Sequence, residues 1–118
     1  MNSERHQELR TRTKTFALRV IRMSQALPRN REANVILNQV LRSATGIAAN
    51  YRAAGRSRSK AEFIAKIGVV VEEADETVFW LEMLADSGIV RPEKLANLQA
   101  EATELVAIFT ASRKTARS

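Results

Sequence analysis

The sequence predicts an all-α protein, an antiparallel up-down-up-down four-helix bundle. Apolar residues make up 45% of its 118 residues but aromatic residues only 5%, and there are two prolines and four glycines. This composition suits a helical bundle better than a turn-rich β fold. Apolar residues also recur at steps of three and four in four separate segments. At this length we expect one domain over residues 1–118.

The first two helices are predicted over roughly residues 5–27 and 32–54. The apolar seam of the first comprises Leu9, Phe16, Val20, Met23 and Leu27. Pro28 stops it, because the residue before a proline disfavours the helical conformation. The second ends at Gly55, which we expect in the left-handed conformation that commonly terminates helices.

The third and fourth helices are predicted over roughly residues 60–86 and 92–113. Ser59 and Glu62 have the spacing of a capping box, which satisfies unpaired N–H groups at a helix start. Asp86-Ser87-Gly88 closes the third helix, and Pro92 opens the fourth. Gly68 lies inside the third helix, where glycine costs about 1 kcal/mol relative to alanine. A close approach of another backbone segment would offset that cost.

The charge is distributed unevenly along the chain. The net charge is +6, but residues 1–60 carry 13 of the 19 Lys and Arg and only 3 of the 13 Asp and Glu. Residues 61–118 carry 6 basic and 10 acidic residues. This asymmetry favours a polyanionic partner, an acidic face on a second copy of the chain, or both.

Several chemistries lack the residues that they need. The chain has no cysteine, and its only histidine is His6, so a Cys-His or Ser-His nucleophile and a metal or haem site are not expected. No glycine-rich phosphate loop is present. We therefore predict no enzymatic activity and no cofactor. No apolar run approaches the roughly 20 residues of a membrane span, and we expect a soluble cytoplasmic protein.

Two groups of basic residues are candidates for binding phosphate. The first surrounds the start of the third helix and comprises Arg52, Arg56, Arg58, Lys60 and Lys66. The second lies on one face of the first helix, where Arg5, Arg12 and Arg19 repeat every seven residues with Arg22 beside them. The alternative is that these charges are solvated, or paired with the acidic residues Glu72, Glu73, Asp75 and Glu76.

One apolar run exceeds what a single helix face can bury. Phe79 and Trp80 lie within four consecutive apolar residues of the third helix. We expect one of these two side chains to contact another subunit.

Three segments resemble a known bacterial four-helix bundle family. They are RSATGIAANYR (42–52), RSKAEF (58–63) and EEADETVFWL (72–81). The family includes proteins encoded in intervening sequences of ribosomal RNA genes, once labelled S23 ribosomal proteins, and the accessory variability determinant of diversity-generating retroelements. The resemblance implies a homopentameric ring without enzymatic activity; in the retroelement members it implies nucleic-acid binding and association with a reverse transcriptase.

The same resemblance suggests roles for single residues. Arg42, Asn50 and Glu62 match motif positions and are expected to be structural or interface residues. Ala53 stands where many relatives have an acidic residue, which makes this corner more positive.

Two hypotheses follow. The first is a non-enzymatic, pentameric accessory protein that binds RNA or DNA and belongs to a reverse-transcriptase or RNA particle. The alternative is a protein-protein scaffold ring whose charges serve subunit assembly.

Overall fold

Four antiparallel helices form the bundle, confirming the predicted fold class. A computed structural model describes residues 3–118, which contain α1 (Ser3–Gln25), α2 (Arg31–Ala54), α3 (Lys60–Asp86) and α4 (Pro92–Arg117). The described chain measures 44 × 22 × 20 Å. Pairs of residues in contact between successive helices give their antiparallel register: His6 with Tyr51, Ser43 with Thr77, and Arg113 over Gly68.

The helix ends follow their local sequence signals closely. The side chain of Asn30 accepts a hydrogen bond from the Ala33 N–H at the start of α2 (2.9 Å), and Ser59 Oγ accepts from the Glu62 N–H at the start of α3 (3.1 Å). α1 ends at Gln25, two residues earlier than predicted, because the chain enters a tighter turn before Pro28. α4 continues four residues beyond its predicted end, to Arg117.

The two glycines at helix ends behave differently. Gly88 takes a positive φ of 79° after α3. Gly55 has a φ of −65°, so the expected left-handed conformation is wrong there. Its N–H bonds to the Tyr51 carbonyl, and the following residues continue in right-handed turns.

The core runs the length of the bundle. Its largest fully buried apolar side chains come from all four helices: Phe16, Val20, Val40, Ile47, Ile67, Val70, Leu81, Leu84, Leu95, Leu105 and Phe109. Of the helix pairs that are neighbours in the bundle, α1 and α4 pack least closely. None of the helices within residues 3–118 is both long enough and apolar enough to cross a membrane.

Candidate nucleic-acid interface

One end of the bundle concentrates positive charge. The antiparallel order brings together the start of α1, the end of α2, the start of α3 and the end of α4. We call residues 3–10, 52–66 and 113–117 the basic end. They contain ten basic and three acidic side chains, a net charge of +7. The opposite end, residues 22–32 and 82–94, contains five basic and four acidic side chains, a net charge of +1.

Cations in the middle of the bundle are paired with acids on neighbouring helices. Arg12 of α1 donates to both carboxylate oxygens of Glu101 at 2.8 Å and contacts Glu104 at 3.0 Å. These hydrogen bonds raise the pKa of Arg12 and lower that of the Glu101 carboxyl. On the other side, Arg42 of α2 lies 3.4 Å from Glu76. These arginines connect helices of their own chain.

The arginines at the end of α2 and in the connection to α3 have no acidic partners of this kind among residues 3–118. Arg52, Arg56 and Arg58 are exposed, and within residues 3–118 no carboxylate side chain lies in ion-pair distance of any of them. Lys60, the first residue of α3, lies with its Nζ 3.5 Å from the Ser118 carbonyl oxygen. Lys66 is partly exposed, between one and two turns further along the helix. The positive end of the α3 dipole is at the same corner.

Three basic residues of α4 join this corner although the sequence analysis did not select them. Arg113, Lys114 and Arg117 lie in the last turns of α4, next to the start of α3. The Arg113 guanidinium lies over Gly68, where a Cβ would come within 3.2 Å of its Nε. The neighbour of Gly68 is therefore an arginine side chain and not the closely approaching backbone that the sequence predicted. These residues could have been selected from the predicted antiparallel topology, because it places the end of α4 beside the start of α3.

A groove between α1 and α2 extends the positive surface along the bundle. It has a volume of about 440 Å³ and a floor of small residues that includes Thr45, Ala48 and Ala49. Its basic residues are Arg10, Lys14 and Arg52, and no acidic residue lines it among those described. Sequence reasoning missed Arg10 and Lys14, since they do not share the seven-residue repeat of the predicted basic face.

That predicted basic face on α1 is not one exposed strip. Arg5 pairs with Glu8 at 3.1 Å, and Arg12 is held by α4. Arg19 is partly buried, and its charge contributes to lowering the pKa of Glu101. Arg22 is exposed but lies at the opposite end of the bundle. The seven-residue repeat thus places Arg12 and Arg19 toward the acids of α4.

The residues expected to be structural or interfacial occupy the α2–α3 side. Asn50 donates a hydrogen bond to the Gly46 carbonyl at 2.8 Å. Gly46 leaves room for Glu73, since a Cβ there would come within 2.8 Å of Glu73 Oε2. That oxygen is buried without a hydrogen-bond partner among the described residues, and burial raises the pKa of the Glu73 carboxyl. At the start of α3, the backbone N–H of Glu62 donates a hydrogen bond to Ser59 Oγ.

Phe79 and Trp80 differ in exposure. Their rings meet edge to face with centroids 4.8 Å apart. Trp80 packs partly against the core, whereas Phe79 is 48% exposed. Phe79 is therefore the member of the pair that is available for a subunit contact.

A cavity of about 910 Å³, here called the end cavity, opens at the basic end. Its walls come from all four helices, including Leu9, Tyr51, Phe63 and Ile108. His6 Nδ1 and the Tyr51 hydroxyl form a hydrogen bond of 2.9 Å beside it. Burial, reinforced by the charge of Arg10, lowers the pKa of His6. A Cβ at Gly55 would overlap the His6 ring, so a larger residue there would require the His6 side chain to move.

The chain is similar to a known family and to solved structures. Residues 5–111 match the family described as 23S rRNA-intervening sequence protein. The chain is also similar to a crystal structure of a protein with unknown function from the S23 ribosomal protein family of Bacteroides thetaiotaomicron VPI-5482. The identity is 29% and the TM-score 0.85, covering 92% of this chain and 97% of that one. None of the curated proteins compared with the chain matches it.

Proposed function

The chain belongs to the 23S rRNA-intervening sequence protein family, and we propose that it is a non-enzymatic, homo-oligomeric protein whose basic end binds the phosphate backbone of nucleic acid. The family name favours RNA as the ligand. Arginine is suited to this task because its planar group can donate to two phosphate oxygens at once.

One observation carries the proposal: the mid-bundle arginines are paired with acids, while those of the α2–α3 corner are not. Arg12 and Arg42 each contact carboxylates on another helix. Arg52, Arg56 and Arg58 contact none within residues 3–118. Unpaired cations repel one another, so their concentration at one end favours a polyanion that neutralises them.

The experiment is a salt series of binding to labelled structured RNA and to duplex DNA. If about six cations of the basic end contact phosphates, log affinity falls with log salt with a slope of about −5 on duplex. The double variant Arg52→Glu with Arg56→Glu should weaken binding and flatten the slope.

The matched control is Arg22→Glu with Arg29→Glu. It changes the net charge equally, but at exposed positions of the opposite end. It should bind much like the wild type. Equal losses in both double variants would show that only total charge matters and would refute the assignment of the basic end.

Self-assembly is the second part of the proposal. The exposed Phe79 supports a subunit contact, and the resemblance to retroelement accessory proteins predicts five copies in a ring and a reverse transcriptase as partner. Phe79→Lys should lower the mass measured by light scattering, whereas Ala100→Lys, which adds the same charge at an exposed position of α4, should not. A wild-type protein of monomeric mass would contradict this part.

A scaffold ring is the second candidate function. It is favoured by the outer stripe of α3, where Val69, Glu72, Phe79 and Met83 are all exposed. An acidic stripe with apolar positions suits a basic protein surface. This candidate predicts a ring without affinity for nucleic acid whose assembly weakens in high salt.

A further inference from the structure

We infer that the end cavity receives a single unpaired base of the bound nucleic acid, while the surrounding cations hold the adjoining phosphates. This inference rests on the proposed function and deepens it, because it states that the basic end distinguishes an unpaired base from paired strands. Contacts to phosphates alone carry no direct information about the bases.

The cavity is large enough for a flat ring system, and its walls suit one. Its volume of about 910 Å³ lies within the range of about 300–1,000 Å³ that is usual for small-molecule sites. Three aromatic residues, His6, Tyr51 and Phe63, line it together with aliphatic side chains. Unpaired bases are commonly held by stacking on such aromatic groups.

A polar group in the wall of the cavity is left without a partner. Ser57 lines the cavity, and its Oγ is buried and forms no hydrogen bond with any residue of the described chain. A buried hydroxyl without a partner is costly. A rotation of the Ser57 side chain would turn this hydroxyl toward the cavity, where the edge of a base could satisfy it and an aliphatic chain could not.

The mouth of the cavity carries charges that suit a phosphate. Lys60 and Arg5 both line it, and no acidic residue is among its described lining residues. Ser59 and Lys60 also mark the start of α3, where backbone N–H groups favour an anion. The cations at the rim suit the phosphate of a nucleotide, and the aromatic rings within the cavity suit its base.

The test compares three RNA hairpins: one fully paired, one with a single bulged base, and one with an abasic bulge at the same site. Each carries a distant fluorophore for anisotropy. We expect tighter binding of the bulged-base hairpin than of both others, by roughly 5- to 100-fold, the range that base stacking provides.

Two variants should abolish that preference by filling the cavity. Ala111→Trp and Ala107→Trp alter exposed positions of α4 that line it, so that one remains informative if the other misfolds. Ala100→Trp, exposed on the same helix but outside the cavity lining, is the matched control. Circular dichroism checks the helicity of all three.

The outcomes separate the inference from the proposed function. Loss of the preference in the cavity variants, with duplex affinity and the control unchanged, supports the inference. Equal binding of the three hairpins by the wild type, or a preference that survives in a folded cavity variant, overturns it and leaves the proposed function standing. Absence of binding to every hairpin at low salt overturns both.

Discussion

Arg12→Met should separate stability from nucleic-acid binding. The substitution keeps the aliphatic stem of Arg12 but removes its hydrogen bonds to Glu101, whose side chain is only 17% exposed. Hydrogen bonds to charged groups contribute about 1.5–3 kcal/mol, and exposed ion pairs less than about 1 kcal/mol. The Arg12 side chain is 29% exposed, so we expect a loss of about 1.5 kcal/mol. For a chain of 118 residues this lowers Tm by about 6 °C.

The loss should also depend on pH. The hydrogen bond from Arg12 holds the pKa of the Glu101 carboxyl below its ordinary value of 4.5. Because the folded pKa is depressed, the stabilisation is fully present above about pH 4.5 and disappears as the pH falls through the folded pKa. The difference in Tm between wild type and Arg12→Met should therefore shrink in acid.

The assay is thermal unfolding at fixed protein concentration from pH 7 to pH 3, with the RNA salt series run beside it. Arg52→Met is the matched control, since Arg52 has no acid partner within residues 3–118. It should leave Tm nearly unchanged and reduce the salt slope by about one. An Arg12→Met protein with an unaltered Tm and a reduced salt slope would refute the reasoning, because Arg12 would then contact phosphate instead of Glu101.

Three further perturbations probe single contacts. Thr77→Val removes the buried 2.8 Å hydrogen bond to Ser43 and should cost about 1 kcal/mol in urea unfolding; an unchanged midpoint would contradict this. Gly55→Ala displaces His6. Because the pKa of His6 is lowered, the contribution of neutral His6 to stability is present above pH 6.5 and lost in acid. The difference in Tm between pH 8 and pH 5 should therefore be smaller in Gly55→Ala than in the wild type. Glu73→Gln removes a partly buried charge whose pKa is raised, so its urea midpoint at pH 7 should equal or exceed that of wild type. A clear loss would show that the pairing of Glu73 with Arg42, whose guanidinium lies 3.9 Å from the Glu73 carboxylate, dominates.

The helices were predictable because their signals are local. Steps of three and four between apolar residues define each buried face. The N-cap bond at Ser59, which is one half of the predicted capping box, and the glycine at residue 88 fix the limits of α3 within a few residues. At Gly55 the local rule was wrong, since its φ is −65°, and the ring of His6, 49 positions earlier, lies where a Cβ would stand.

The candidate site was only partly predictable. The seven-residue repeat of Arg5, Arg12 and Arg19 establishes a shared helix face, but not which helix that face meets. Arg12 meets Glu101, 89 positions away. Arg113 likewise belongs to the basic end because the end of α4 lies beside the start of α3. No local sequence pattern shows this neighbourhood.

The position of the charges along the bundle bears on the two candidate functions. With a rise of 1.5 Å per residue, the acids at Glu72 and Glu76 lie about 18–24 Å from Lys60 along α3, well beyond the screening length of about 8 Å at physiological ionic strength. In a closed ring, rotational symmetry places equivalent residues of all copies at the same height. If the bundles stand parallel to the ring axis, each basic end adjoins other basic ends and not the acidic middle of a neighbour. Such an assembly would gather a charge of +7 per copy on one rim, which favours the proposed external polyanion over a neighbouring subunit as the partner.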